Sequence, residues 1–454
     1  MRFFDGESGP ANPGEPEAQT NVGPTFLRQR RVLLLMALLG LVVCTDLVRY
    51  MDPIGEKHFP LLEPGAADFS VIFDGTRVFL DGHNPYYYRD AGSLDPWRRG
   101  DIIGGRWFRV SYQPSHFLIY IPVALITTDN REAGRLMFTI SVALYFLIAV
   151  MTWRLVLRVA QPAGETRSLA LLLLPVLAVI ILANVGTALS LARCQSDVIN
   201  ATMCWAAVLL FLRGQRFWPM FLVTTAISMK GYPAILGTGL FLLGLRRGGW
   251  RAEIGGVLSA MVLWLGPVLP YLHDGAIAAL SHAMGFFTDY WFNQSFANVF
   301  YHLAPGLTDF GVKAVSAFNL CVSAGCWWHA QRALRRGDAP ATTVWLCMFA
   351  TAALTTMIGA SRLSFIYNQI LILPGVLLLF VVGDSFWRHC GFAERTMRWL
   401  FACEALMGFL VLKYVWPPLQ FPLAGVGNLV LVLLIATGVV GRLLRRQGEN
   451  PAQS

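Results

Sequence analysis

An all-α, polytopic membrane protein of about twelve transmembrane helices is the fold class this sequence predicts. Three observations carry that prediction. Of 454 residues, 55% are hydrophobic and only 14% charged, against about 25% charged in an ordinary soluble domain. The mean hydropathy is +0.53, so lipid, not water, must be the chain's main surroundings. Apolar stretches of roughly 17–25 residues, long enough to cross a bilayer as a helix, recur along the chain. Arginines fall in short clusters between those stretches: Arg28, Arg30 and Arg31; Arg154, Arg158 and Arg167; Arg213 and Arg216; Arg246, Arg247 and Arg251; Arg332, Arg335 and Arg336; Arg388, Arg395 and Arg398; Arg442, Arg445 and Arg446. Taken as cytoplasmic, these clusters orient the chain by the positive-inside rule. The net charge of +9 therefore marks topology and not a nucleic-acid partner.

Taken in order, residues 1–27 are rich in Gly, Pro, Glu and Asn and read as a disordered cytoplasmic tail. The apolar run at 32–50 lacks a small-residue cleavage site and reads as a retained signal anchor. Further spans are drawn at 134–157, 168–187, 196–213, 217–230, 232–246, 252–272, 310–332, 341–360, 368–386, 397–415 and 422–442. The segment "PSHFLIYIPVALIT" at 114–127 is short and broken by two prolines. Counting it as a span would invert every later loop and export the arginine clusters, so it reads as re-entrant or interfacial. One continuous transmembrane domain thus covers 28–446, with both termini, including the tail 447–454, in the cytoplasm. Outside the membrane lie a long loop at 51–133, a second at 273–309, and three short junctions: "LARCQSDV" (191–198), "SMKGYP" (228–233) and "SRLSFIYNQ" (361–369).

The polar residues that are not topology signals collect on that outer face. The stretch "DFSVIFDGTRVFLDGHNPY" opens the long loop. Wound at about 100° per residue, it puts Phe69, Ile72, Phe73, Thr76, Phe79 and Leu80 on one face. Asp74, Arg77 and Asp81 lie opposite, as in a helix lying on the membrane surface. Gly82-His83-Asn84-Pro85 then stops it. Asp68 stands at the first turn beside the apolar face. It reads either as the helix N-cap or as a partly desolvated carboxylate suited to proton abstraction, and the two roles are compatible. Lys230 interrupts an apolar stretch in a chain with only four lysines. It reads as a cation for a lipid phosphate, or as a side chain snorkelling to the interface. Arg193 and Arg362 lie where positive charge is disfavoured, so each is either a phosphate contact or a solvated loop charge. Asn293-Gln294-Ser295, flanked by aromatics, could bond sugar hydroxyls; it also matches the three-residue glycosylation pattern. Tyr86, Tyr87 and Tyr88 suit an interfacial belt or a binding surface. The eight cysteines include no CxxC pair, so neither a disulfide framework nor a zinc site is expected.

The opening stretch resembles the first outer loop of glycosyltransferase family 87, whose members belong to the GT-C superfamily and use sugars on polyprenyl phosphate. Asp68, Phe69, Phe73, Leu80, Gly82, Pro85 and Tyr86 stand where that family carries its Asp-Phe and Leu-x-Gly-x-x-Pro-Tyr elements. Tyr112-x-Pro114, Gln195, Lys230-x-x-Pro233 and Asn293-x-Ser295 follow in the family's order. Two departures are visible. Cys194-Gln195-Ser196-Asp197 replaces a common Gly-Gln-x-Asn, and Tyr367 and Asn368 stand where paired histidines are usual. The resemblance implies a GT-C-like fold in the plasma (inner) membrane. It also implies inverting transfer of a hexose, mannose-like, or a pentose from a polyprenyl-phosphate donor to a lipid or glycan acceptor on the outer face. Asp68 would be the general base, with Lys230, Arg193 and Arg362 on the donor phosphate. Phe69, Tyr86, Tyr112, Gln195, Asn293, Ser295, Tyr367 and Asn368 would contact substrate. No cofactor and no metal are expected.

Two other classes fit parts of the pattern. Twelve spans and an intramembrane lysine suit a secondary transporter, although the halves show no clear repeat. An O-antigen ligase or polymerase is also lipid-dependent, but its large outer loop usually comes late in the chain, whereas here the longest comes first.

Overall fold

The computed structural model describes residues 67–86, 101–103, 106–108, 113–160, parts of 173–196, 197–246, 248, 250–276, 295–361, 366–379 and 428–440. The two predicted tails and the predicted spans at 32–50 and 397–415 lie outside the described residues. The described fold is helical, apart from a two-stranded antiparallel ribbon, β1 (Asp101–Ile103) with β2 (Arg106–Phe108), in register Ile102 to Trp107.

Helix α1 (Ala67–Leu80) is followed by α2 (Ser115–Ile126) and α3 (Asn130–Ala160). Then come α4 (Asp197–Leu212), α5 (Phe217–Met229), α6 (Ala234–Leu245) and α7 (Trp250–Leu265). The chain continues through α8 (Phe296–Leu303), α9 (Thr308–Arg335), α10 (Ala339–Ala360) and a 3-10 segment, Ile366–Leu371. A last helix, α11, covers Asn428–Val440. Among the described residues, three stretches are long and apolar enough to cross a membrane: Glu132–Val159, Pro305–Arg335 and Ala339–Ala360. Trp250–Leu265 with Leu269–Ala276 makes a fourth if the 72° bend lies within one span. Helices α4, α5 and α6 coincide with predicted spans but run only 12 to 16 residues. At about 1.5 Å per residue that is roughly 18–24 Å, short of a hydrocarbon core of about 30 Å. The segment at 114–127 forms a 12-residue helix with Pro122 inside it, too short to span.

Sequence chemistry sets the helix ends. At the close of α1, the His83 N–H bonds to the Val78 carbonyl and the Gly82 N–H to that of Phe79. Gly82 takes the positive φ of 76° that this cap requires. The α9–α10 corner works the same way: Gly337 turns the chain at φ 70°. Asp338 then caps α10, its carboxylate accepting from the Ala341 N–H at 2.9 Å.

Helix α10 is the central one and is almost wholly buried. It is rich in small residues, and Thr343, Thr351, Thr355 and Thr356 turn their hydroxyls back to the carbonyls four residues earlier. With its polar atoms so satisfied, it can be packed on all sides, and α3, α6 and α9 all lie against it. Gly239 of α6 leaves room for the Phe349 ring, which a Cβ there would strike. Trp205 of α4 donates to the Leu371 carbonyl at 2.8 Å and so fixes the 3-10 segment beside α4.

A second, smaller core holds α1. Phe69, Ile72 and Phe73 are buried against Phe117, Tyr120 and Val123 of α2 and Met137 of α3. The apolar stripe of α1 is thus covered by protein and not by the membrane surface. Amphipathicity alone could not tell the two covers apart. The stripe is also narrower than the wheel implies, since Leu80 is 41% exposed. Because α1 lies outside the predicted spans, burial here gains from leaving water, about 1.5–3 kcal/mol for each large side chain.

Candidate functional site

The ends of α2, α4, α5 and α6 and the segment after α10 meet at one end of the bundle, so the three short junctions predicted for the outer face come together. Lys230, the C-cap of α5, brings its ammonium 2.7 Å from Asp197 Oδ1 at the first position of α4. Asp197 is fully buried, while 13% of the Lys230 side chain is exposed. The N-terminal end of α4 adds its own positive potential to the carboxylate.

His116, in the first turn of α2, lies beside this pair. Its Nδ1 faces the Met229 carbonyl at 3.3 Å and its Nε2 faces the Ser196 hydroxyl at 2.6 Å. A carbonyl can only accept, so Nδ1 carries the proton and Nε2 accepts from Ser196. Burial, aided by the Lys230 charge, lowers the imidazole to about 3, and the ring is neutral. Ser115 donates to the Ser228 carbonyl. The start of α2 is thereby bonded to the ends of both α4 and α5.

On the far side, Tyr232 follows Lys230 by two residues. Its hydroxyl accepts a long bond, 3.5 Å, from Asn368 Nδ2. Above α2, Phe69 stacks on Phe73 at 5.5 Å and meets Tyr120 edge-on at 5.7 Å. Tyr120 donates to the Cys194 carbonyl at 3.3 Å, reaching the approach to α4. Tyr86 is buried edge-on to Phe117. Burial and the neighbouring Asp274 raise its phenol above the usual tyrosine range. Asn84 donates to Asp274 itself.

The residues named from sequence therefore distribute as follows. Phe69 and Tyr86 belong to the small core around α2, and Lys230 and Asn368 to the junction cluster. Ser295 caps α8, accepting from the Asn298 N–H at 3.2 Å. Asp68 stands in the first turn of α1, and its side chain, like that of Tyr367, lies outside the described set. Tyr112, Arg193, Gln195, Asn293 and Arg362 also lie outside the described residues. Sequence reasoning did not select His116, Asp197, Tyr232 or Asp274. His116 lies inside an apolar run and Asp197 inside a junction predicted for the outer face, so a polar residue in each segment was the available signal.

As chemistry, the described residues of the cluster offer a partly exposed cation on a buried carboxylate, a neutral imidazole, and phenols at its sides. Such a set can hold an anionic group at the bundle's end.

The model of glycosyltransferase family 87 matches residues 110–358 of this chain. That range holds Tyr112, Arg193, Gln195, Lys230, Asn293 and Ser295. Asp68, Phe69 and Tyr86 precede it, and Arg362, Tyr367 and Asn368 follow it. No curated protein matches the chain. Among solved structures, a crystal structure of ArnT from Cupriavidus metallidurans bound to undecaprenyl phosphate is similar at 14% identity, over 91% of this chain and 78% of that one, with a TM-score of 0.36. A likeness of that degree does not establish a shared fold.

Proposed function

Because the chain belongs to glycosyltransferase family 87, we propose that it moves one sugar from a polyprenyl-phosphate donor to a lipid or glycan acceptor on the outer face of the plasma membrane. The sugar is a hexose, mannose-like, or a pentose. The observation that carries this reading is the junction cluster. Lys230 stands at the end of α5 with part of its side chain exposed, and in this reading a lipid-borne phosphate reaches it from the bilayer.

In the reaction, the acceptor hydroxyl attacks the anomeric carbon from the face opposite the phosphate. The new C–O bond forms as the bond from that carbon to the phosphate oxygen breaks, so the configuration inverts. Asp68 takes the hydroxyl proton, and the electron pair leaves on polyprenyl phosphate. Lys230, with Arg193 and Arg362, stabilises the charge that grows on that oxygen. No metal is needed, since the leaving group is a single lipid phosphate met by side-chain cations. The fold is GT-C-like in this reading, both termini are cytoplasmic, and Asp68 and Lys230 share the outer face.

Two experiments test it. Purified protein should release polyprenyl phosphate and transfer sugar in the presence of EDTA. Activity from a nucleotide sugar alone, lost with EDTA, overturns it. For topology, an impermeant thiol reagent should label a cysteine placed at Ser93 and spare one at Gly337; equal labelling of the two sinks the outer-face assignment.

A further inference from the structure

We infer that Asp197 is a positioning residue for the donor phosphate: it fixes the Lys230 ammonium in one orientation by holding its buried side. The inference rests on the phosphate role proposed for Lys230. A lysine is a flexible point charge on four rotatable bonds, and one at a bundle end would ordinarily sample many positions. Here its backbone is pinned, because the Lys230 N–H bonds to the Ala226 carbonyl at 3.0 Å. Its tip is pinned too, at 2.7 Å from Asp197 Oδ1.

The partner cannot easily let go. Asp197 is fully buried, and among the described residues its Oδ2 has no hydrogen-bond partner. Among the described residues, Lys230 and the amide end of α4 are what offsets its burial, and drawing the ammonium away costs the carboxylate that partner. An approaching phosphate must then meet the ammonium where it stands. An ammonium has three donors, so it can bond Asp197 and a phosphate oxygen at the same time. The neighbouring His116 is neutral and adds no competing charge. Positioning of this kind acts on the transition state, where misplacement of a catalytic group by about 1 Å can lower the rate about 10²-fold.

Steady-state kinetics of the purified full chain in nanodiscs test this, with polyprenyl-phosphate sugar as substrate and sugar-free polyprenyl phosphate as product inhibitor. Lys230→Met should weaken product inhibition about tenfold or more and lower kcat. Asp197→Ala should lower kcat about tenfold or more with donor KM changed less than about threefold. Asp197→Asn keeps an acceptor oxygen in place and should hold kcat within about threefold of the parent. The Asp197→Ala/Lys230→Met double variant should be no slower than Lys230→Met alone, because the carboxylate acts only through the lysine. A parent-like kcat in Asp197→Ala overturns the inference, as does a loss that adds in full to that of Lys230→Met. Should Asp197→Ala fail to fold, Asp197→Asn decides: a loss as deep as that of Lys230→Met overturns the inference. Unchanged product inhibition in Lys230→Met is a different failure, since it removes the phosphate role of Lys230 itself.

Discussion

Asn84 donates from Nδ2 to Asp274 Oδ2 across 2.7 Å, joining residues 190 apart in the chain. The bond ties the turn after α1 to the second arm of the bent helix pair, Leu269–Ala276. Tyr86 packs beside the same carboxylate, and Gly275 lies so close to Pro114 and the Tyr86 hydroxyl that a Cβ there would crowd both. The turn that follows the helix carrying Asp68 is therefore held by a polar latch. Removing one partner of a partly buried hydrogen bond costs about 1–3 kcal/mol. Asp274→Ala and Asn84→Ala should each lower the melting temperature in detergent, and the double variant should melt close to the worse single one. Fully additive losses would show that the two residues act separately.

Asp68 and Asp74 stand six residues apart on α1 and separate the catalytic reading from a capping one. Asp74 accepts from Asn130 Nδ2 at 3.4 Å, a local tie to the start of α3. Asp68→Asn keeps size and much of the capping ability, so a capping role alone predicts near-parent turnover. A general base contributes about 10²–10⁴-fold. Asp68→Asn should therefore express and melt normally while turnover falls by about two orders of magnitude or more. Asp74→Asn should cost little. Normal turnover in Asp68→Asn, with Asp74→Asn dead, would place the base six residues on, at Asp74.

His116 gives the stability a pH dependence of known sign. In the unfolded chain the imidazole binds a proton below about 6.5; in the fold it does so only near 3. Between those values the unfolded state holds one proton more, so stability falls as the pH drops through that window, by about 1.4 kcal/mol per pH unit at most. His116→Gln removes the titration and keeps polar atoms towards Ser196 and Met229. Melting curves from pH 7 to 4.5 should flatten in that variant relative to the parent. Parallel curves would mean that other groups carry the acid sensitivity.

Much of this arrangement was legible in the sequence, for identifiable reasons. Helix positions followed from apolar length, and their ends from local chemistry: Gly82 and Gly337 mark the turns that need positive φ. The arginine clusters assign the three short junctions to one side of the membrane, and the described residues of those junctions do lie together. The partners within that end did not follow. Nothing local links Asp197 to Lys230, 33 residues on, and His116 looked like one polar letter in an apolar run. The cover over α1 was unreadable because lipid and the face of α2 select the same side chains. Pairings across space are set by packing, and a single sequence records packing only as a tolerance for apolar residues.

Cys194 supplies the last test. It adopts φ 47°, in the left-handed region, at the position where the resemblance to family 87 places a glycine. That conformation costs a residue with a Cβ roughly 1–2 kcal/mol. The side chain is buried, with Sγ set to donate to the Gly134 carbonyl at 3.4 Å, and burial pushes the thiol up to about 12. It therefore stays protonated and unreactive at working pH. Cys194→Gly relieves the backbone but gives up one buried group, worth about 1 kcal/mol by area. The two terms nearly cancel, so melting and turnover should stay close to the parent. Cys194→Val keeps the burial, but a β-branched side chain tolerates positive φ worst of all. That variant should melt lower than Cys194→Gly and should disturb the approach to α4 that presents Ser196 and Asp197, lowering turnover as well. Equal melting of the two variants would show that the left-handed backbone at Cys194 does not constrain this junction.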